Sequence, residues 1–275
     1  MEEYDTIVIS GGSTKGMVSL GAIQYAFDNY LLKKVKTYVG TSSGAIICYL
    51  LIIGYTPIEI MVYICTNQIL ESMLEFDVVS MAQGKGALSF NRLHEHLEKM
   101  TISKIGYLPT IGDLRERYNK DLICVTYNIT EDMSEYMAPD THADFPCLTA
   151  LRMSANLPLI FEKYRYGNSL YVDGGICDNF PINFADSIGK KILGFLSVPE
   201  DTCGVTDDCS LLEYVYHLIS VPINQNIEYK LSTLSDKCKI INLSYKSYKF
   251  FKFDIPPHVK LDMFSRGYNQ FKEQI

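Results

Sequence analysis

The 275-residue chain carries 25 Lys and Arg against 32 Asp and Glu, a formal net charge of −7. A 47% hydrophobic content can fill one large core, which excludes disordered and collagen-like classes. The acidic balance argues against a nucleic-acid partner, which calls for a basic patch. It leaves peripheral membrane contact open, because apolar residues around a site can drive that contact.

The eight cysteines, at 48, 65, 124, 147, 177, 203, 209 and 238, form no C-x-x-C pair. Cys48 and Cys65 sit in apolar runs, so reduced thiols in a cytoplasmic protein are expected rather than a disulfide framework. The acidic start Met1-Glu2-Glu3-Tyr4-Asp5 shows no secretory signal. The longest apolar run, Ala45–Tyr55, falls short of the about 20 residues that span a bilayer. A soluble or peripheral protein is expected, with residues 1–275 as one domain. Its motif-bearing core covers about 5–200, and a helical and strand region covers about 201–275.

In chain order, Thr6–Ser10 is a β-branched apolar run that predicts a buried strand. A glycine-rich turn, Gly11 to Gly16, leads into a helix from about Met17 to Tyr30. Val35–Val39 predicts a second strand, running into Gly40-Thr41-Ser42-Ser43-Gly44 and then a buried helix. Thr56-Pro57-Ile58-Glu59 starts another helix, with a Thr cap, Pro at the first position and Glu three residues on; it is predicted to continue to Leu74. Met81–Phe90, with Gly84 and Gly86, is a candidate lid. A helix over Asn91–Met100 and a strand over Asp121–Tyr127 follow. Ala150–Ser154 reads as helical and is stopped by Pro158, and Leu170–Val172 as a short strand before Asp173-Gly174-Gly175. Lys191–Val198 is strand-like, 208–231 helical, and Lys239–Leu243 a last strand. Alternating strands and helices predict a three-layer α/β/α fold with a mostly parallel central sheet.

Gly40-Thr41-Ser42-Ser43-Gly44 fits G-x-S-x-G. A serine in a sharp strand-to-helix turn projects its hydroxyl above the sheet edge, close to the positive end of the next helix. Ser10 to Gly16 can supply successive backbone N–H groups to a developing oxyanion. A phosphate-binding P-loop would need Lys and Ser or Thr after its last glycine, whereas Met17-Val18 follow Gly16. Asp173-Gly174-Gly175 closes a strand and, taken alone, is an ordinary turn.

In combination these three motifs resemble the patatin-like phospholipase family. Thr110-Ile111-Gly112-Asp113-Leu114 is similar to the family's T-F-x-D-L segment. Ala150 to Phe161 is similar to its A-x-x-x-S-x-x-x-P-x-x-F stretch, so the likeness covers roughly residues 5 to 185. The resemblance implies a fold related to the α/β-hydrolase architecture. It makes Ser42 the nucleophile, Asp173 its base, and Gly11, Gly12 and Ser13 the oxyanion loop. Lys15, Gly16, Gly40, Gly44, Gly174 and Gly175 support these, and no metal or other cofactor is required. The implied substrate is a phospholipid or other lipid ester. The family usually has a third glycine where Ser13 stands; an N–H survives that change, but a positive φ there would be strained. Arg is common in the family at the position of Lys15.

Two rival readings accompany this one. A Ser–His–Asp triad would need His217 or His258, neither in a recognisable catalytic loop. A silent lipid-binding module would keep the fold while Ser13 spoils the loop. His94-Glu95-His96 reads as a solvated helix face rather than a metal site. Ile52, Ile53, Ile58 and Met61 could be core or an acyl-chain channel.

Overall fold

The computed structural model describes residues 3–67, 69–72, 88–199, 209–245 and 254–275. All four residues of β1 (Thr6–Ile9) are buried, as in a strand covered on both faces. Side chains alternate across a strand, so Ile7 and Ile9 enter one core and Val8 another. The same division separates Tyr38 from Val39 in β2 (Thr37–Thr41), and Leu122 and Cys124 from Ile123 in β3 (Asp121–Asn128).

Three antiparallel strands, β4 (Met133–Met137), β5 (Tyr164–Tyr166) and β6 (Ser169–Asp173), extend the sheet on the β3 side. On the other side, β7 (Ile192–Pro199) and β8 (Cys238–Tyr245) continue it in parallel. Among the described residues the sheet has eight strands in the order β5-β6-β3-β2-β1-β7-β8, with β4 paired to β3. The register Ile9↔Gly40 and Gly40↔Cys124 levels the carboxyl ends of β1 and β2 against β3. Thr126↔Asp173 brings the end of β6 to the same edge.

Besides the C-terminal helix, the first core draws on α1 (Gly16–Asp28), α2 (Ser43–Ile52), α3 (Pro57–Thr66), α4 (Asn91–Ile105), α5 (Ile111–Tyr118) and α6 (Cys147–Ser154). On the opposite face, α7 (Ile182–Ile188) and α8 (Leu211–Ser232) pack against Val8, Val39 and Ile123. The result is the three-layer arrangement that the alternation predicts. The last helix, α9 (Pro257–Glu273), returns to the first layer and crosses α1. There a Cβ on Gly21 would lie 1.8 Å from the Phe264 carbonyl oxygen, and one on Gly267 1.8 Å from that of Val18. The two backbones touch, which clamps the helix that leaves the glycine-rich loop.

Local chemistry sets several boundaries. Thr56 and Glu59 form the expected capping box on α3, but the helix ends at Thr66 because the Asn67 amide caps the Tyr63 carbonyl at 3.1 Å. A short turn, Ile69–Ser72, follows. The Thr110–Asp113 pair is a second capping box, opening α5. Helix α4 runs past Met100 to Ile105, where Gly106 at φ 81° stops it. Strand β2 lies two residues later than predicted and takes in Gly40 and Thr41.

Candidate active site

Ser42 stands where β2 turns into α2, at φ 55° and ψ −125°, a conformation that costs a non-glycine residue on the order of 1–3 kcal/mol. Close backbone packing on both sides fixes it. A Cβ on Gly40 would lie 2.6 Å from the Ala45 nitrogen, and one on Gly44 2.3 Å from the Ile9 carbonyl oxygen. No side chain fits either gap, which is the physical content of the G-x-S-x-G spacing. The Ser42 N–H donates to the Ser154 hydroxyl at 3.0 Å. Helix α2 begins at the next residue, so the unpaired N–H groups of its first turn lie beside the Ser42 hydroxyl.

That hydroxyl donates to Asp173 Oδ2 at 2.6 Å. The other carboxylate oxygen accepts the Gly175 N–H at 2.7 Å, and the Asp173 N–H donates to the Asn156 carbonyl at 3.0 Å. Asp173 is 1% exposed. Burial pushes its carboxyl up to about 7, against the opposing pull of the bonds from Ser42 and Gly175. A carboxylate at that value is a serviceable base near neutral pH.

The glycine-rich loop comes next to this pair, and one of its members differs from expectation. The Gly11 N–H donates to the Asn179 carbonyl at 2.9 Å, and the Asn179 amide returns a bond to the Gly11 carbonyl at 3.2 Å. Gly11 therefore has no N–H to offer an oxyanion. Its contribution is close approach: Ser42 Cβ lies 3.3 Å from where a Gly11 side chain would begin. The Gly12 N–H donates to Ser43 Oγ at 3.2 Å, and the Ser13 N–H has no acceptor among the described residues. Three expected donors thus narrow to two. Ser13 does adopt the left-handed conformation, φ 50°, at a cost of roughly 1–2 kcal/mol. Lys15 ends the short helical turn Ser13–Lys15, its N–H donating to the Gly12 carbonyl at 2.9 Å. Its ammonium has no ion pair or hydrogen bond among the described residues, and burial holds it below the ordinary value.

From Ser42 and Ser43 an almost wholly apolar cavity of about 140 Å³ runs between α1, α2, α3 and α4. Of the apolar positions considered from the sequence, Ile52, Ile53 and Met61 are core and Ile58 is 50% exposed. The α3 residues that do line the cavity are Ile60 and Ile64. His96 lines it too, with Nδ1 3.3 Å from the Tyr63 hydroxyl. His217 and His258 are exposed, on α8 and α9. Within the candidate lid, residues 81–87 lie outside the described residues, while the Leu88 N–H donates to the Ile160 carbonyl at 2.8 Å. Ser43, Ser154 and Asn179 enter the site without having been singled out. Ser43 falls in the G-x-S-x-G motif and Ser154 in the Ala150–Phe161 stretch, which was the one available signal.

Residues 7–186 match the sequence profile of the patatin-like phospholipase family. The chain is 35% identical over 194 residues to a probable lipid hydrolase of Invertebrate iridescent virus 6; that match covers 68% of this chain and 65% of the viral protein, just under two thirds of its length. It is 25% identical over 284 residues to an uncharacterised protein of Acanthamoeba polyphaga mimivirus, covering 99% and 94% of the two chains. The crystal structure of VipD from Legionella pneumophila superposes with a TM-score of 0.59 at 17% identity, over 99% of this chain and 66% of that one, a likeness of fold. With the profile match spanning most of its length, the chain belongs to the patatin-like phospholipase family.

Proposed function

We propose that this protein is a lipid acyl hydrolase that cleaves carboxylic esters of membrane lipids through a Ser42–Asp173 dyad. The observation that carries the reading is the 2.6 Å bond from the Ser42 hydroxyl to a buried carboxylate held near neutrality. In the first step Ser42 Oγ attacks the ester carbonyl carbon while its proton passes to Asp173 Oδ2. The resulting oxyanion takes the N–H groups of Gly12 and Ser13, with Ser43 Oγ moving off the Gly12 donor. Collapse breaks the bond to the alcohol, which leaves with the proton from Asp173. Water then attacks the acyl-serine carbonyl while Asp173 accepts its proton; the bond to Ser42 Oγ breaks, Asp173 returns the proton to Oγ, and the carboxylic acid departs. An ester suits this weak base, because an alkoxide leaves more readily than an amine.

An apolar cavity that begins at the nucleophile supports an acyl chain as the group transferred. Peripheral membrane contact draws support from α8, where Leu211, Tyr214, Leu218, Val221 and Tyr229 are all exposed. At 100° per residue these fall within one 80° sector of the helix, opposite Tyr216 and Ile227, which are buried. Among the described residues Cys48, Cys124, Cys147, Cys177, Cys209 and Cys238 are free thiols, which supports a reducing, cytoplasmic setting. The silent-module reading rests on Ser13, and the uncommitted Ser13 N–H counts against it.

The test is a phospholipid, lysophospholipid and neutral-lipid panel with mass-spectrometric product analysis. Fatty acid release by the wild type that Ser42→Ala abolishes is the expected result. Stoichiometric lipid binding without release would favour the silent module.

A further inference from the structure

We propose that the cavity measures the acyl chain, accepting a single medium-length chain, on the order of eight carbons, and stopping it at Leu50 and Met100. This rests on the hydrolase reading and goes beyond it to the class of substrate.

The argument begins with spacing. Ser43, Ile46, Ile47 and Leu50 line the cavity from α2, a set at i, i+3, i+4 and i+7 that forms one stripe along the helix. The α4 wall, from Leu93 to Met100, repeats that spacing. Seven residues of helix rise about 10 Å, so two stripes, apolar except for Ser43 on α2 and His96 on α4, each run about that far along the cavity. The polar lining other than His96, which sits midway along the α4 wall, is Ser13, Thr14, Ser42 and Ser43, at the start.

The far end is closed by burial. Leu20, Leu50, Ile60 and Met100 converge from four helices and are 1%, 2%, 2% and 2% exposed. Of the other lining residues, Leu97 and Met17 are also deeply buried, at 2% and 3% exposed, while Leu70 and Leu93 are only partly buried. An extended chain seated on Ser42 therefore meets a wall of packed side chains after about 10 Å. The volume agrees with one chain rather than two: apolar cavities of roughly 150 Å³ hold a single benzene ring, and this one measures about 140 Å³.

The experiment measures kcat/KM for a series of 4-nitrophenyl esters from two to sixteen carbons, each below its micellar concentration, for the wild type, Leu50→Ala and Met100→Ala. Each methylene buried is expected to raise kcat/KM about fourfold, with a maximum near eight carbons that moves to longer chains in both variants. Parallel labelling rates for alkyl fluorophosphonates of graded length on the wild type should peak at the same length, so the proposal stands or falls even if a variant fails to fold. A wild-type profile that climbs steadily to sixteen carbons, or a maximum unmoved in variants that still label, overturns the measured pocket and leaves the hydrolase reading intact. Absence of turnover and labelling in the wild type overturns both.

Discussion

The hydroxyl of Ser154, at the end of α6, accepts the main-chain N–H of Ser42 at 3.0 Å in a fully buried environment. Ser42 holds a strained backbone, and this bond satisfies an N–H that the turn would otherwise leave unpaired in the core. Ser154 is thus a positioning residue. Ser154→Ala should lower kcat about tenfold to a hundredfold with KM little changed, and cost about 1–3 kcal/mol of stability. A purely structural role would lower stability and leave kcat per folded molecule unaltered; Ser154→Thr should recover part of the rate.

The pH dependence follows from Asp173. In the proposed mechanism it is the base and must be ionised, so with its carboxyl at about 7, kcat/KM should rise with pH to half its plateau near that value. For stability the sign runs the other way. The folded value lies above the ordinary 3.8, so the fold favours the protonated form; the contribution is complete below that ordinary value and is lost as pH rises through about 7. Asp173→Asn should abolish turnover yet raise the melting temperature at pH 8.5 more than at pH 5. Equal shifts at both pH values would contradict a raised carboxyl.

Asp178 supplies a third test, because its carbonyl accepts the hydroxyl of Thr41, the residue before Ser42, at 2.8 Å. Its carboxylate pairs with Lys230 of α8 and accepts the Tyr136 hydroxyl at 2.6 Å. Lys230→Met leaves that buried carboxylate without its cation and should cost about 3–5 kcal/mol. Lys230→Met with Asp178→Asn should cost less than the single change. Chemical denaturation of the three variants decides it.

At the crossing of α1 and α9, Gly267→Ala pushes a methyl into the Val18 carbonyl and should destabilise by about 1–3 kcal/mol or more. Residue 267 lies outside the family match over 7–186, so this measurement shows whether the C-terminal helix belongs to the same cooperative core.

The parallel core strands were legible because β-branched runs buried on both faces leave a continuous apolar signal, as in Thr6–Ile9. Antiparallel β4 and β5 were not. Met133–Met137 and Tyr164–Tyr166 are short and mostly exposed or half-buried, and they carry no such run. The pairing of Ser42 with Asp173 was legible because each sits against glycines that the fold requires. The loss of Gly11 as a donor was not, since Asn179 arrives 168 residues later in the chain. Which α3 residues line the cavity was not legible either: apolar side chains point both inward and outward from that helix, and only packing separates Ile60 and Ile64 from Ile58.

The central claim is that Ser42 attacks with Asp173 as its base. Intact-protein mass spectrometry after exposure to a fluorophosphonate tests it most directly. One adduct, mapped to Ser42 in the wild type, lost in Ser42→Ala, strongly slowed in Asp173→Asn and retained when each histidine is replaced singly, is the expected result. An adduct at another residue, or undiminished labelling in Asp173→Asn, would contradict it.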